Sequence, residues 1–271
     1  MGRLNKSGID YLDYGWNFYS GCDNWRNGVC KVGKRCWAKQ RTHRFKDVYP
    51  NGFEPTFYWD SFLEPLKLLD KPPARIGVAF MGDLFTQDPN MPLDFECKSV
   101  GQIITVDGKP AMVSAYGETL KSAIFKVIEQ LPQHTFVFLT KVYWNLPKWG
   151  KFPDNCAVGL SDTDCKEDLS IMSQVQAKKK FVSYEPLYNF SHPDLRWVDG
   201  IVLGGQTRPT LMPRLEWILE LVEDADKLQK KVFLKNNLLD FISGLDITCP
   251  KMESRILNTL YEGDNLRQEF V

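Results

Sequence analysis

Short runs of β-branched and aromatic residues recur along the chain: RIGVAFMG (75–82), HTFVFLTK (134–141), NCAVGLS (155–161), KKFVSYEP (179–186), DGIVLGG (199–205) and KKVFLKN (230–236). Continuous rather than alternating apolar character predicts strands buried on both faces, as in a parallel sheet. Between them, SAYGETLKSAIFKVIEQL (114–131), KEDLSIMSQVQAK (166–178) and RLEWILELVEDADKLQK (214–230) space their apolar residues three and four apart. That spacing predicts amphipathic crossover helices. With an opening strand at WNFYSGC (16–22), the order β then α repeats about six or seven times. The expected fold is α/β, a complete or partial (β/α) TIM-like barrel with parallel strands, in a single domain over residues 1–271.

One segment interrupts this rhythm. QIITVDGKPAMVSAYG (102–117) holds two β-prone runs around Val106-Asp107-Gly108, the pattern of an inserted β-hairpin. In a barrel, an insertion between a strand and the following helix lies on the catalytic face.

Composition narrows the class. The chain has 34 basic and 34 acidic residues, so no global charge marks it for nucleic acid or membrane. The apolar run from Ile76 to Met81 is far too short to span a bilayer, and no basic start precedes an apolar leader. A soluble, cytoplasmic protein is expected. Seven cysteines, an odd number, argue for reduced thiols and metal ligands rather than a disulfide scaffold.

Three of those cysteines, Cys22, Cys30 and Cys36, fall in a C-x7-C-x5-C pattern in the loop after the opening strand. Thiolates gathered on a loop converge readily on a metal centre. A structural zinc site needs four protein ligands, for which His43 is the nearest further donor. A [4Fe-4S] cluster held by three cysteines leaves one iron open for a small molecule. Both readings, zinc and iron–sulfur, stand at this point. Cys97, Cys156, Cys165 and Cys249 are scattered and expected to be buried and unliganded. Cys249 is also weighed as a further ligand. His134 and His192 form no recognisable pair with a nucleophile, so a hydrolytic triad has no support.

Asp83, Lys141, Ser161, Glu185, Gln206 and Lys235 fall at or just beyond the carboxyl ends of predicted strands. In a β/α barrel those ends share one face with the cysteine loop. Glu185 is suited to a ribose hydroxyl or to proton transfer, or else to a buried pair with Lys141 or Lys235. The two lysines would neutralise a substrate carboxylate or phosphate. Gly204 and Gly205 allow close backbone approach to a ligand or make a tight turn. Asp83 has an alternative role as a helix N-cap. Arg26, Lys31, Lys34, Arg35, Lys39, Arg41, Arg44 and Lys46 surround the cysteines with Trp25, Trp37 and Phe45 interleaved. That mixture suits a nucleotide or nucleic-acid strand as well as a solvated helix face.

Three cysteines on the first β/α loop, with Trp37 following the last, resemble the radical S-adenosylmethionine (radical SAM) superfamily, whose usual spacing is C-x3-C-x2-C. An ordered motif set is also similar to an uncharacterised family of phage, bacterial and archaeal proteins. It comprises Trp16-Asn17, Gly21-Cys22, Met81-Gly82-Asp83-Leu84-Phe85, Leu139-Thr140-Lys141, Ser183-Tyr184-Glu185-Pro186-Leu187 and Gly204-Gly205-Gln206. Gln206 stands where that family has glutamate, and the gap before Cys36 is longer. These resemblances imply a [4Fe-4S] cluster on Cys22, Cys30 and Cys36, with S-adenosylmethionine on its open iron. Trp37, Met81, Gly82, Asp83, Ser161, Ser183, Gly204, Gly205 and Gln206 would lie around the cofactor, Asp83 accepting from its amino group. Glu185, Lys141 and Lys235 would carry catalysis, with flavodoxin or ferredoxin as electron donor and a substrate open to include nucleotide or nucleic acid. The alternative function is a non-catalytic nucleic-acid-binding protein with a structural zinc or iron–sulfur site.

Overall fold

The computed structural model describes residues 4–24, 26–30, 33, 36–93, 104–106, 109–111, 118–207 and 209–271. It divides into two compact units, one of residues 1–157 with 175–178, the other of 158–174 with 179–271.

In the first unit, β1 (Leu4–Lys6) pairs antiparallel with β2 (Tyr14–Trp16), and β2 runs parallel to β5 (Arg75–Val78). Next to β5, also parallel, lies β9 (Thr135–Thr140). A smaller sheet joins β3 (Tyr19–Gly21) to β4 (Thr56–Phe57) and β6 (Met81–Gly82). The hairpin expected over 102–117 is present as β7 (Ile104–Val106) against β8 (Lys109–Ala111); the rest of that segment lies outside the described residues. Helix α1 (Trp37–Arg44) starts at Cys36, and α2 (Leu120–Glu129) is capped by Thr119, whose hydroxyl accepts from the Ser122 amide. The core is aromatic: Trp16 packs on Phe18 and Phe62 with ring centroids 4.7 and 5.5 Å apart, and all three rings are buried. Centroid separations in this range favour tilted and edge contacts.

Strand β10 (Cys156–Ser161) begins in the first unit and ends in the second. The second unit continues with β11 (Lys179–Tyr184) and β12 (Gly200–Leu203), a short hairpin of β13 (Gln206–Thr207) and β14 (Thr210–Leu211), helix α3 (Leu215–Lys227) and β15 (Lys231–Leu234). Helices α4 (Leu239–Ser243) and α5 (Pro250–Leu260) and the hairpin β16 (Tyr261–Glu262) with β17 (Asn265–Leu266) complete it. β11, β12 and β15 are parallel neighbours. Helix α3 buries Ile218, Leu219, Leu221, Val222 and Ala225, the stripe its sequence predicts.

The chain is thus mixed α/β with mostly parallel pairing, in the order β1-β2-β5-β9 within the first unit and β11-β12-β15 within the second. Among the described residues no pairing closes it into a barrel, and no helix is long and apolar enough to cross a membrane. Three expected elements change form. The opening strand and the 75–82 strand each split into two short pieces, the second where Ala79 adopts a positive φ of 59°. The helix expected over 166–178 is only a short 3-10 turn, Leu169–Ser173. Carboxylates compete for its backbone: Asp162 accepts from the Lys166 and Glu167 amides, and Asp168 from that of Ser170.

Candidate functional site

In the first unit Cys22 is set in place by a backbone built for close approach. β3 and β6 run parallel with Gly21 opposite Gly82. A Cβ on Gly82 would stand 2.9 Å from the Gly21 nitrogen and 3.0 Å from the Ser20 carbonyl carbon, so only glycine fits. Gly21 itself holds φ +84° with the backbone of Phe53 and Glu54 against its α-carbon. This contact places Cys22, directly after β3, alongside Met81 and Asp83. Met81 forms a buried cluster with Ala38, Tyr49 and Phe53, against which Cys22 and Cys36 pack.

The thiols of Cys22, Cys30 and Cys36 are free and half-buried. Burial pushes the Cys22 thiol up to about 12, and Asp83, Cys36 and Cys30 add negative charge around it. Burial also raises Cys36, while the amides of Lys39 and Ala38 at the start of α1 and the ammonium of Lys141 act in the opposite direction. Among the described residues no three His, Cys, Asp or Glu side chains close on a single ion position. The donor set nevertheless fits a three-thiolate centre in kind: three reduced thiols share one electrostatic neighbourhood, and Cys36 faces the Lys141 ammonium and helix-end amides. A metal would displace their protons.

Asp83 is the tie point of this region. It is 5% exposed and accepts from Asn24 Nδ2 at 2.7 Å, Thr140 Oγ1 at 2.7 Å, the Lys141 amide at 3.0 Å and the Phe85 amide at 3.3 Å. The last bond caps the 3-10 turn Leu84–Thr86, so the N-cap role is realised. Burial pushes the carboxyl pKa up and the four donors pull it back, with a net upward shift. Asn24, buried, supplies the link from the cysteine loop, and its carbonyl also accepts the Cys30 amide at 2.9 Å. No local signal marks Asn24, because its partner is 59 positions away. His43 is exposed on α1. Trp25, Lys31, Lys34, Arg35 and Cys97 lie outside the described residues.

The second unit gathers a separate polar group. Lys235 Nζ pairs with Glu185 Oε2 at 2.7 Å, and Ser183 Oγ donates to Glu185 Oε1 at 3.0 Å. Of the two pairings open to Glu185, this is the one formed. Gly204 lies beneath it: a Cβ there would stand 2.8 Å from Lys235 Cδ. Gly205 packs against Met212, and its amide and carbonyl bond Asn237, at 3.3 and 2.7 Å. At both glycines the nearest neighbours are flexible Lys235 and Met212 side chains, which pack close over the backbone. Gln206 accepts from the Tyr188 hydroxyl and donates to the Pro209 carbonyl at 2.7 Å. Ser161 ends β10 and is partly buried. Tyr188 and Asn237 were not legible as members of this group from sequence.

The remaining candidates are structural. His134 accepts from the Ala74 amide and contacts the Leu68 carbonyl, and His192 pairs with Asp224. Cys156 and Cys165 are buried, as expected, whereas Cys249 is exposed at the start of α5. The exposure of Cys249 departs from the burial expected of it.

Fold and site together define an α/β protein with a three-thiol loop packed beside a buried, fully bonded aspartate. In comparison with known families, residues 114–238 match the family described as a protein of unknown function (DUF5131). The match covers just under half of the chain and contains the Leu139-Thr140-Lys141, Ser183–Leu187 and Gly204–Gln206 motifs, but not the three cysteines. No curated protein and no solved structure matches the chain.

Proposed function

We propose that this protein is a radical SAM-like iron–sulfur enzyme on a partial (β/α) barrel. Cys22, Cys30 and Cys36 would hold a [4Fe-4S] cluster whose open iron takes S-adenosylmethionine. The observation that carries this reading is three free, half-buried thiols, three rather than four: Cys22 and Cys36 pack against the Met81 cluster, and the Cys30 amide bonds Asn24, which is tied to Asp83. When bound, the cluster and S-adenosylmethionine would supply one-electron cleavage, driven by a donor such as flavodoxin or ferredoxin, and hydrogen abstraction from substrate.

The chain's own residues do the rest. Asp83, with its acceptor positions occupied by protein donors, positions the loop rather than binding a ligand amino group directly. Met81, Tyr49 and Phe53 exclude water from the side where Cys22 and Cys36 pack. Lys141 and the first amides of α1 favour the thiolate of Cys36. In the second unit, the Glu185–Lys235 pair with Ser183 offers a substrate a carboxylate acceptor and a cationic donor, preset by the pair's own hydrogen bonds.

Anaerobic reconstitution with iron and sulfide, followed by iron counting on the protein and on Cys22→Ala, Cys30→Ala and Cys36→Ala, tests the assignment. About four irons, lost in each variant, is the expected result. One zinc per chain under the same conditions, with no iron retained, overturns it and favours the second reading. In that reading the thiols hold structural zinc and the exposed basic face of α1 binds nucleic acid without catalysis.

A further inference from the structure

We infer that the solvent-facing stripe of α1 is a docking surface for single-stranded nucleic acid, which makes a nucleic-acid strand the substrate class of the thiol site. The inference rests on the proposed reading for its catalytic meaning, but not for its binding claim.

Helix α1 buries only Ala38 and Thr42 and contains no acidic residue. Trp37, Arg41 and Arg44 are spaced i, i+4 and i+7, so they share one face of the helix. All three are exposed, Trp37 at 52%. Phe45 follows, 41% exposed, and both Arg41 and Arg44 hold their guanidinium carbons 5.4 Å from its ring centroid. Among the described residues Arg41, Arg44 and Lys46 make no ion pair, whereas nearby Arg26 is occupied by Asp23 and Glu54. A chain with no net charge has therefore concentrated unneutralised cations on one short helix, directly after Cys36.

The chemistry of the stripe selects its occupant. Exposed guanidinium groups complement a phosphate backbone, and α1 itself carries no acidic partner for them. Two exposed rings at either end of the stripe provide stacking platforms, which only unpaired bases can use. A membrane would require a continuous apolar face. Here Gln40, Arg41, His43 and Arg44, all exposed, fill the interval between Trp37 and Phe45.

Fluorescence anisotropy with a labelled mixed-sequence 12-mer (about the span an ssDNA-binding surface tracks) tests this on the full chain. The same oligonucleotide as duplex and vesicles of phosphatidylserine and phosphatidylcholine serve as competitors. Wild type should bind the single strand more tightly than the duplex. The double variant Arg41→Ala/Arg44→Ala should weaken binding by about tenfold or more and flatten the salt slope by about 1.4. Arg41→Lys/Arg44→Lys should keep the slope. Trp37→Ala should lower affinity about fivefold or more with the slope unchanged. Tighter duplex binding, binding to vesicles alone, no binding at low salt, or an unaltered double variant that still melts as wild type would each overturn the inference. Iron content measured on the same preparations separates the two claims. Iron loading without strand binding sinks this inference alone, and strand binding without iron sinks only the cluster assignment.

Discussion

Replacing Asp83 is the most informative single perturbation. Its carboxylate is 5% exposed and receives four donors from three separate stretches of chain, at 24, 83–85 and 140–141. In Asp83→Ala the Thr140 hydroxyl can rotate, and the Phe85 bond at 3.3 Å is the longest of the set. Asn24 Nδ2 and the Lys141 amide, both bonded to Oδ2, are stranded in the interior. An unsatisfied buried donor costs about 1–3 kcal/mol. Relief from burying a carboxylate offsets part of that, so the net loss should be about 2–4 kcal/mol. At about 2–4 °C per kcal/mol for chains of this order, thermal unfolding should shift down by roughly 5–15 °C. Asp83→Asn should rescue most of this, because an amide oxygen in place of Oδ2 keeps Asn24 and Lys141 while the Thr140 hydroxyl rotates to accept from the NH2, leaving only the Phe85 amide unpaired. Asp83→Ala should also load less iron, since Asn24 loses its anchor. Unfolding of Asp83→Ala within about 2 °C of wild type, with iron content unchanged, would refute the network.

Three further outcomes follow from the packing. Gly82→Ala drives a methyl into the backbone of Ser20 and Gly21, where nothing flexible can yield; thermal melts should show a loss of about 2 kcal/mol or more and iron binding should fall. Lys235→Met alone leaves Glu185 uncompensated at 16% side-chain exposure and should cost about 2–3 kcal/mol in urea unfolding. Adding Glu185→Leu should recover at least half of that if the pair is the chief partner of each group. The Arg255 guanidinium holds the Glu223 carboxyl below its usual range. A depressed folded value gives stability that is present above the unfolded pKa near 4.5 and lost as pH falls through the folded one. Both side chains are about one-third exposed, so Arg255→Leu should cost under ~1 kcal/mol at pH 7 and nothing measurable below pH 3.

The continuous apolar runs at 134–141, 155–161, 179–186 and 230–236 become strands within a residue or two of their expected limits, because burial on both faces leaves a plain signature. Helices α2 and α3 were legible from their periodicity. The sequence pattern misled where local polar chemistry competes with the helix, at 166–178, and where a single positive φ at Ala79 breaks a strand whose composition stays uniform. At the site, the clustered cysteines, Asp83 and the Glu185–Lys235 pairing could be read as candidates from residue type and position. What Asp83 and the glycines do could not, since Asn24 and Thr140 reach Asp83 across 59 and 57 positions, and Gly82 is forced by the backbone of Gly21.

The central claim is that the three thiols bind a cluster with an open coordination position. An electron paramagnetic resonance spectrum of the anaerobically reconstituted, reduced protein, recorded with and without S-adenosylmethionine, tests it most directly. A reduced [4Fe-4S] signal that changes on adding S-adenosylmethionine, and disappears in Cys22→Ala, is the predicted result. A chain that takes up zinc and no iron, or a cluster signal indifferent to S-adenosylmethionine, would contradict it.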